Sequence, residues 1–197
     1  MLLLIILWVG WCAVHSLLIT ATVRRWVEHR GGLWLGLYRI GYVVAALGTL
    51  LPLLWYTAHL PQHPFGPVPL WLRGVQGLLF LYALVLFGGG LRVYDLQTFL
   101  GLAQWRAYRA GQASPPPTFQ ARGILRVVRH PWYSGGFALL WALPELTDVT
   151  LVSRAILSVY LVIGALLEER KMRALLGEPY RAYCRNVPMF IPWKFGR

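Results

Sequence analysis

Five apolar runs constrain this chain more than any other feature. They cover residues 2–23, 33–56, 68–91, 131–146 and 151–167. Of the 197 residues, 57% are hydrophobic and 13% charged, and the mean hydropathy is +0.54. A soluble domain of this size cannot hide so much apolar surface, so the solvent is a lipid bilayer. The first three runs are long enough to cross about 30 Å of hydrocarbon as helices. The last two are shorter and cross only with thinning, snorkelling or shelter from neighbours, and Pro144 and Glu145 weaken the fourth further. The expected fold is an all-α membrane protein with five transmembrane helices.

Charge sets the expected orientation. The net charge is +12, and the basic residues flank the apolar runs, which points to topology and anionic headgroups rather than to nucleic acid. With the N-terminus outside, all of the 19 Lys and Arg residues except Arg73 and Arg154 fall on the cytoplasmic side. The first run lacks a basic leader and a small-residue cleavage site, so it reads as a retained span rather than a signal peptide. No polar linker joins two cores, which predicts one domain over residues 1–197. It comprises three N-terminal spans (1–91), a cytosolic loop (92–130), and a helical hairpin with a C-terminal tail (131–197). Cys12 lies in a span and Cys184 in the basic tail, so no disulfide is expected, and no paired Cys or His spacing suggests a metal.

Within the loop, residues 95–109 read as a short interfacial helix, and Ser114-Pro115-Pro116-Pro117 as a stiff extended crossing. Helical periodicity continues beyond the fifth run to Leu176 and stops at Gly177 and Pro179, giving a helix of about 39 Å that projects from the membrane. Tyr180, Tyr183 and the tail ending at Trp193 return toward the interface, a level that Trp and Tyr favour.

Two polar clusters border the hairpin. Pro131 suits the first turn of a helix, with Arg129 and His130 just outside it at the positive end of the dipole, a setting for a carboxylate or phosphate. Gly135 and Gly136 permit close approach of a helix or ligand. An ordinary basic anchor with a small-residue packing face accounts for the same residues. Glu168 and Glu169 stand at the end of the fifth run. Glu169 has i, i+4 spacing to Arg173, as a plain surface pair would. The hairpin nevertheless brings opposite charges to one side of the membrane, where they can meet around one ligand.

The segment Gly123-Ile124-Leu125-Arg126-Val127-Val128-Arg129-His130-Pro131-Trp132-Tyr133-Ser134-Gly135 resembles the G-x-Y-x-x-x-R-H-P-x-Y-x-G motif of the isoprenylcysteine carboxyl methyltransferase superfamily. Glu168-Glu169-Arg170-Lys171-Met172-Arg173-Ala174-Leu175-Leu176-Gly177-Glu178-Pro179-Tyr180-Arg181-Ala182-Tyr183 is similar to its second motif, E-E-x-x-L-x-x-x-F-G-x-x-Y-x-x-Y. The resemblance covers residues 123–193. Leu125 stands where the motif has Tyr, and Leu176 where it has Phe. The resemblance implies an integral membrane methyltransferase of a bacterial or archaeal inner membrane. Its cytosolic loop and C-terminal helical segment would form a pocket for S-adenosylmethionine. Gly123, Leu125, Arg129, His130, Tyr133, Gly135, Glu168, Glu169 and Tyr180 would bind that cofactor, with Arg129, Glu168 and Glu169 catalytic. Arg129 or His130 suits the methionine carboxylate, and Glu168 or Glu169 suits the ammonium or the ribose hydroxyls. Tyr133 offers a hydroxyl and a ring face to the adenosine or the sulfonium. The methyl acceptor would be lipophilic or membrane-partitioned: a prenylcysteine-like carboxylate, a thiol or a lipid amine. The residues leave the oligomeric state open.

Two further readings compete. His15, in the first span, and the Arg-His-Pro segment also resemble NnrU-like membrane proteins, which implies haem binding or isomerase activity, although the Glu-Tyr tail has no role there. A sterol-reductase-like enzyme using NADPH shares the architecture but not the motifs. His15 otherwise serves as interhelical glue. His59 and His63 lack a metal partner set, while Arg39, Tyr94 and Gln97 read as snorkelling or interface residues that could also line an acceptor entrance.

Overall fold

The computed structural model describes residues 1–113 and 119–193, and of Ala21 and Glu28 the backbone alone. The Ser114–Pro117 stretch lies outside the described residues. Within them the regular structure is helical: α1 (Leu2–Leu18), α2 (Ala21–Arg30), α3 (Leu33–His59), α4 (Leu70–Val93), α5 (Leu96–Leu100), α6 (Leu102–Arg109), α7 (Pro131–Ala142), α8 (Asp148–Leu176) and α9 (Glu178–Asn186). A 3-10 turn at Gly123–Arg126 precedes α7.

Among the described residues, three helices, α3, α4 and α8, are long and apolar enough to cross a membrane, making this a multi-pass membrane protein. The remaining apolar runs differ from expectation for local reasons. The first stops at Leu18 because the Thr20 hydroxyl accepts the Val23 N–H and opens a new helix, α2. The fourth forms only 12 residues, about 18 Å of helix, because Leu143 turns to extended backbone before Pro144. The fifth is longer than its apolar core. A reciprocal Thr147–Thr150 capping box starts it at Asp148, and Gly177, at φ 64°, ends it. At 29 residues, or about 44 Å, α8 is long enough to cross without thinning. The helix expected over 95–109 is split at Gly101, whose φ of 93° and closeness to the Ile40 backbone nitrogen (2.8 Å from a Cβ built there) exclude other residues.

The chain forms two compact units. The first combines Met1–Pro61 with Tyr94–Phe119. Leu4, Trp8 and Cys12 recur every four residues and form the buried stripe of α1. Trp8 and Trp11 donate their indole N–H groups to Thr57 and Thr49 of α3 at 3.2 and 3.1 Å. Gly36 of α3 lets α6 approach, since a Cβ there would lie 2.8 Å from the Trp105 ring.

The second unit combines Gln62–Val93 with Gln120–Arg197. Here α7 packs on α4 and α8. A Cβ on Gly90 of α4 would stand 2.0 Å from Trp132 Nε1, and one on Gly89 would stand 2.9 Å from Ile124, so both glycines seat bulky residues from the segment before and within α7. At the other end of α7, side chains satisfy the carbonyls that the helix stop leaves open. Gln76 Nε2 donates to Leu143 O at 3.0 Å, and buried Arg154 donates to Glu145 O at 2.5 Å. His63 and Asp148 close the same turn, with Nδ1 and Oδ2 2.9 Å apart. Held at both ends, α7 cannot slide along its neighbours. That fixes the position of its N-terminus, where the charged residues gather.

Candidate functional site

The approach to α7 is built from backbone first. Gly123 adopts φ 51° against Val93, and the Tyr183 hydroxyl of α9 donates to Leu125 O at 2.6 Å, clamping the 3-10 turn. The tail then runs beside residues 129 and 130. Arg129 N–H donates to Pro188 O at 2.9 Å and His130 N–H to Met189 O at 3.2 Å. Tyr82 of α4 fixes the next tail residue by donating to Phe190 O at 2.9 Å. His130 is the N-cap of α7 and supplies no capping side-chain bond, while Pro131 occupies the first turn. At the same place, α8 delivers Glu168 and Glu169.

Charges here are matched in burial. Arg129 Nε donates to Glu169 Oε1 at 2.5 Å, with side chains only 8% and 6% exposed. Arg129 Nη1 donates to Cys184 O at 2.9 Å and also to Val187 O. Arg173 reaches the other oxygen of Glu169 at 2.8 Å, so the expected i, i+4 pair is present, but around a buried carboxylate. His130 is 4% exposed; its Nε2 lies 3.4 Å from Glu169 Oε1 and has no hydrogen-bond partner, while its Nδ1 lies 4.0 Å from Glu168 Oε2. Burial pushes His130 below the usual imidazole range, against the pull of Glu168 and Glu169. Glu168 is 46% exposed and meets this cluster only from its edge.

Aromatic rings surround the imidazole. Tyr133 stands edge-on to His130 at 5.5 Å and packs on Gly164 of α8, and Phe190 lies 6.3 Å away. Tyr180 is buried, and that burial, followed by the Glu169 charge, raises its hydroxyl above the ordinary range. Of the residues expected at the site, Arg129, His130, Tyr133, Glu168, Glu169 and Tyr180 are therefore brought together. Leu125 joins through Tyr183. Gly123 and Gly135 face α4 instead, Gly123 on Val93 and Gly135 on Leu86 and Phe87. The Tyr183 clamp, the Phe190 ring and the tail carbonyls were not anticipated. The Val187-Pro188 pair was the available signal, since a proline there keeps the tail extended after α9.

The weaker candidates have structural partners. His15 Nε2 is 2.7 Å from the Tyr42 hydroxyl, and its ring stacks on Trp11 at 4.8 Å, joining α1 to α3. Arg39 Nε donates to Phe99 O at 2.8 Å, and Gln97 accepts from Arg106 at 2.7 Å.

An apolar helical protein whose buried Arg, Glu and His side chains converge at the start of one helix belongs to the membrane class with a built polar centre. Its relatives make the placement specific. The chain belongs to the NnrU protein family, whose model matches residues 2–184. It is 32% identical over 163 residues to methanethiol S-methyltransferase 1 of Bradyrhizobium diazoefficiens, an alignment covering 79% of this chain and 55% of that protein. It is 31% identical over 163 residues to methanethiol S-methyltransferase of Crocosphaera subtropica, covering 79% of this chain and 61% of that protein. Nurim of Bos taurus is 24% identical over 189 residues, covering 90% and 69%. The chain thus spans little more than half the length of the first two relatives. No solved structure matches it.

Proposed function

We propose that this protein is an integral membrane methyltransferase that uses S-adenosylmethionine to methylate a small, membrane-permeant thiol. The observation that carries this reading is the buried polar centre at the start of α7, in a chain about one-third identical to enzymes named for thiol methylation. Isoprenylcysteine carboxyl methyltransferase-like organisation agrees with it: both motifs meet at this centre. In this reading α1 and α7 complete five crossings, with the C-terminus cytoplasmic.

The residues fit the cofactor. Glu168, half-exposed beside His130, offers a carboxylate to an ammonium group or to ribose hydroxyls. His130 turns Nδ1 toward Glu168, 4.0 Å from its carboxylate, and so shares that ligand-facing side. Tyr133 and Phe190 give ring faces for a purine or a sulfonium cation. Arg129 and Glu169 have a different share of the work. Two of the Arg129 nitrogens are committed to Glu169 and to tail carbonyls, and both Glu169 oxygens to arginines. They act as the brace that holds the tail against α7 and α8, and so position Glu168 and His130. Gly123, Gly135, Leu125 and Tyr180 shape and support the same wall.

When bound, S-adenosylmethionine supplies an electrophilic methyl group. The protein contributes alignment and a water-poor surround, which suffice for much of an in-line displacement. A carboxylate acceptor needs no proton removed, whereas a thiol does. The test is direct. Purified protein in liposomes, given S-adenosylmethionine and methanethiol, should release dimethyl sulfide detectable by gas chromatography. Absence of the thioether, with prenylcysteines and phospholipid amines also unmethylated, would reject the reading.

A further inference from the structure

We propose that His130 is the general base that takes the proton from the acceptor thiol, with Glu169 orienting the imidazole from behind. This inference rests on thiol methylation as the reaction.

The geometry assigns each nitrogen a task. Nε2 faces Glu169 Oε1 at 3.4 Å, and a carboxylate favours an N–H on the nitrogen that faces it. Glu169 cannot turn away, because Arg129 and Arg173 grip its two oxygens at 2.5 and 2.8 Å. The lone pair therefore sits on Nδ1, on the Glu168 side, 4.0 Å from that carboxylate. The groups facing the ring are Glu168 and Glu169 from α8, Arg129 beside it, Tyr133 from α7 and Phe190 from the tail, with Arg173 and Tyr180 reaching it through Glu169.

These surroundings suit a base. Burial keeps the resting imidazole neutral, and so able to accept a proton at neutral pH. Two carboxylates stand ready to stabilise the imidazolium once the proton arrives. The step is a simple heterolysis: the S–H bond breaks, the proton goes to Nδ1, and the electron pair stays on sulfur as a thiolate. The imidazolium then returns its proton to water past half-exposed Glu168. An arginine-locked carboxylate behind a histidine is a positioning device, so Glu169 does not need to change protonation.

Acceptors of different acidity separate this role from cofactor binding or folding. At pH 7, ethanethiol needs a base and 4-nitrothiophenol does not, being already a thiolate. His130→Gln should lower kcat/KM for ethanethiol by about 10²–10⁴-fold more than it lowers kcat/KM for 4-nitrothiophenol, because any loss of cofactor contact weighs on both acceptors alike. Equal losses on both, or none on either, would overturn the base while leaving methyl transfer standing. Failure of the unaltered protein to methylate either thiol would remove the inference together with the reading beneath it. A second measurement needs neither variant nor methyl donor. Nitrogen-15 NMR of the histidine-labelled protein at pH 7.5 should show His130 as the Nε2–H tautomer, and an Nδ1–H tautomer would overturn the proposal.

Discussion

Glu169→Gln is the most revealing single substitution for the brace. In the intact protein one carboxylate answers Arg129 at 2.5 Å and Arg173 at 2.8 Å, and both it and Arg129 are less than a tenth exposed. The amide keeps the shape but removes the charge, leaving the Arg129 guanidinium buried among carbonyls. Breaking a buried pair on one side typically costs about 3–5 kcal/mol, because the surviving charge is stranded. In a chain of 150–250 residues each kcal/mol shifts Tm by about 2–4 °C, so the midpoint should drop by roughly 6–20 °C. Glu178→Gln provides the internal control. Glu178 and Arg185 pair at 2.8 Å but are 63% and 64% exposed, and such a pair contributes at most about 1 kcal/mol. Thermal unfolding in detergent, followed by intrinsic Trp fluorescence, reads both variants. Replacing both partners, as Arg129→Met with Glu169→Leu, should recover much of the loss, since no unpaired charge remains. If Glu169→Gln were no worse than Glu178→Gln, the buried brace would not exist as described.

Three other predictions follow from particular contacts. Gly90→Ala should destabilise by about 1–3 kcal/mol, because its Cβ meets Trp132, whereas Gly88→Ala, which meets nothing within 4 Å, should be neutral or slightly stabilising; the midpoints of the pair decide. Tyr183→Phe removes the 2.6 Å bond to Leu125 O and should cost about 1–3 kcal/mol, with faster amide exchange measured at residues 123–126. His130 is depressed below 6.5 by burial, so its contribution is fully present above pH 6.5 and lost as pH falls through the folded-state value. Thermal midpoints should accordingly decline on acidification below that pH, and His130→Gln should flatten that part of the profile.

The sequence was most legible where length and hydropathy decide structure. The runs at 33–56 and 68–91 became α3 and α4 within a few residues of their expected ends. It was less legible where one side chain or one dihedral decides. A Thr20 hydroxyl ended α1 early, Leu143 before Pro144 shortened α7, and Gly101 split the interfacial helix. The two-unit division had no linker to announce it, because each unit is assembled from two separate stretches of chain. At the site, the hairpin logic correctly joined Arg129 and His130 to Glu168 and Glu169. It could not reveal that Arg129 is shared with the carbonyls of Cys184 and Val187, since backbone acceptors leave no residue signature. That omission matters, for these bonds make Arg129 a brace between the tail and α8, and the proposed reading therefore gives the ligand to Glu168 and His130 instead.

Calorimetric titration of the purified protein with S-adenosylhomocysteine asks whether the polar centre at the start of α7 is a cofactor site. Saturable binding is expected at sub-millimolar concentration, weakened strongly by Glu168→Ala. Absence of binding by the unaltered, folded protein up to millimolar concentration would contradict that assignment.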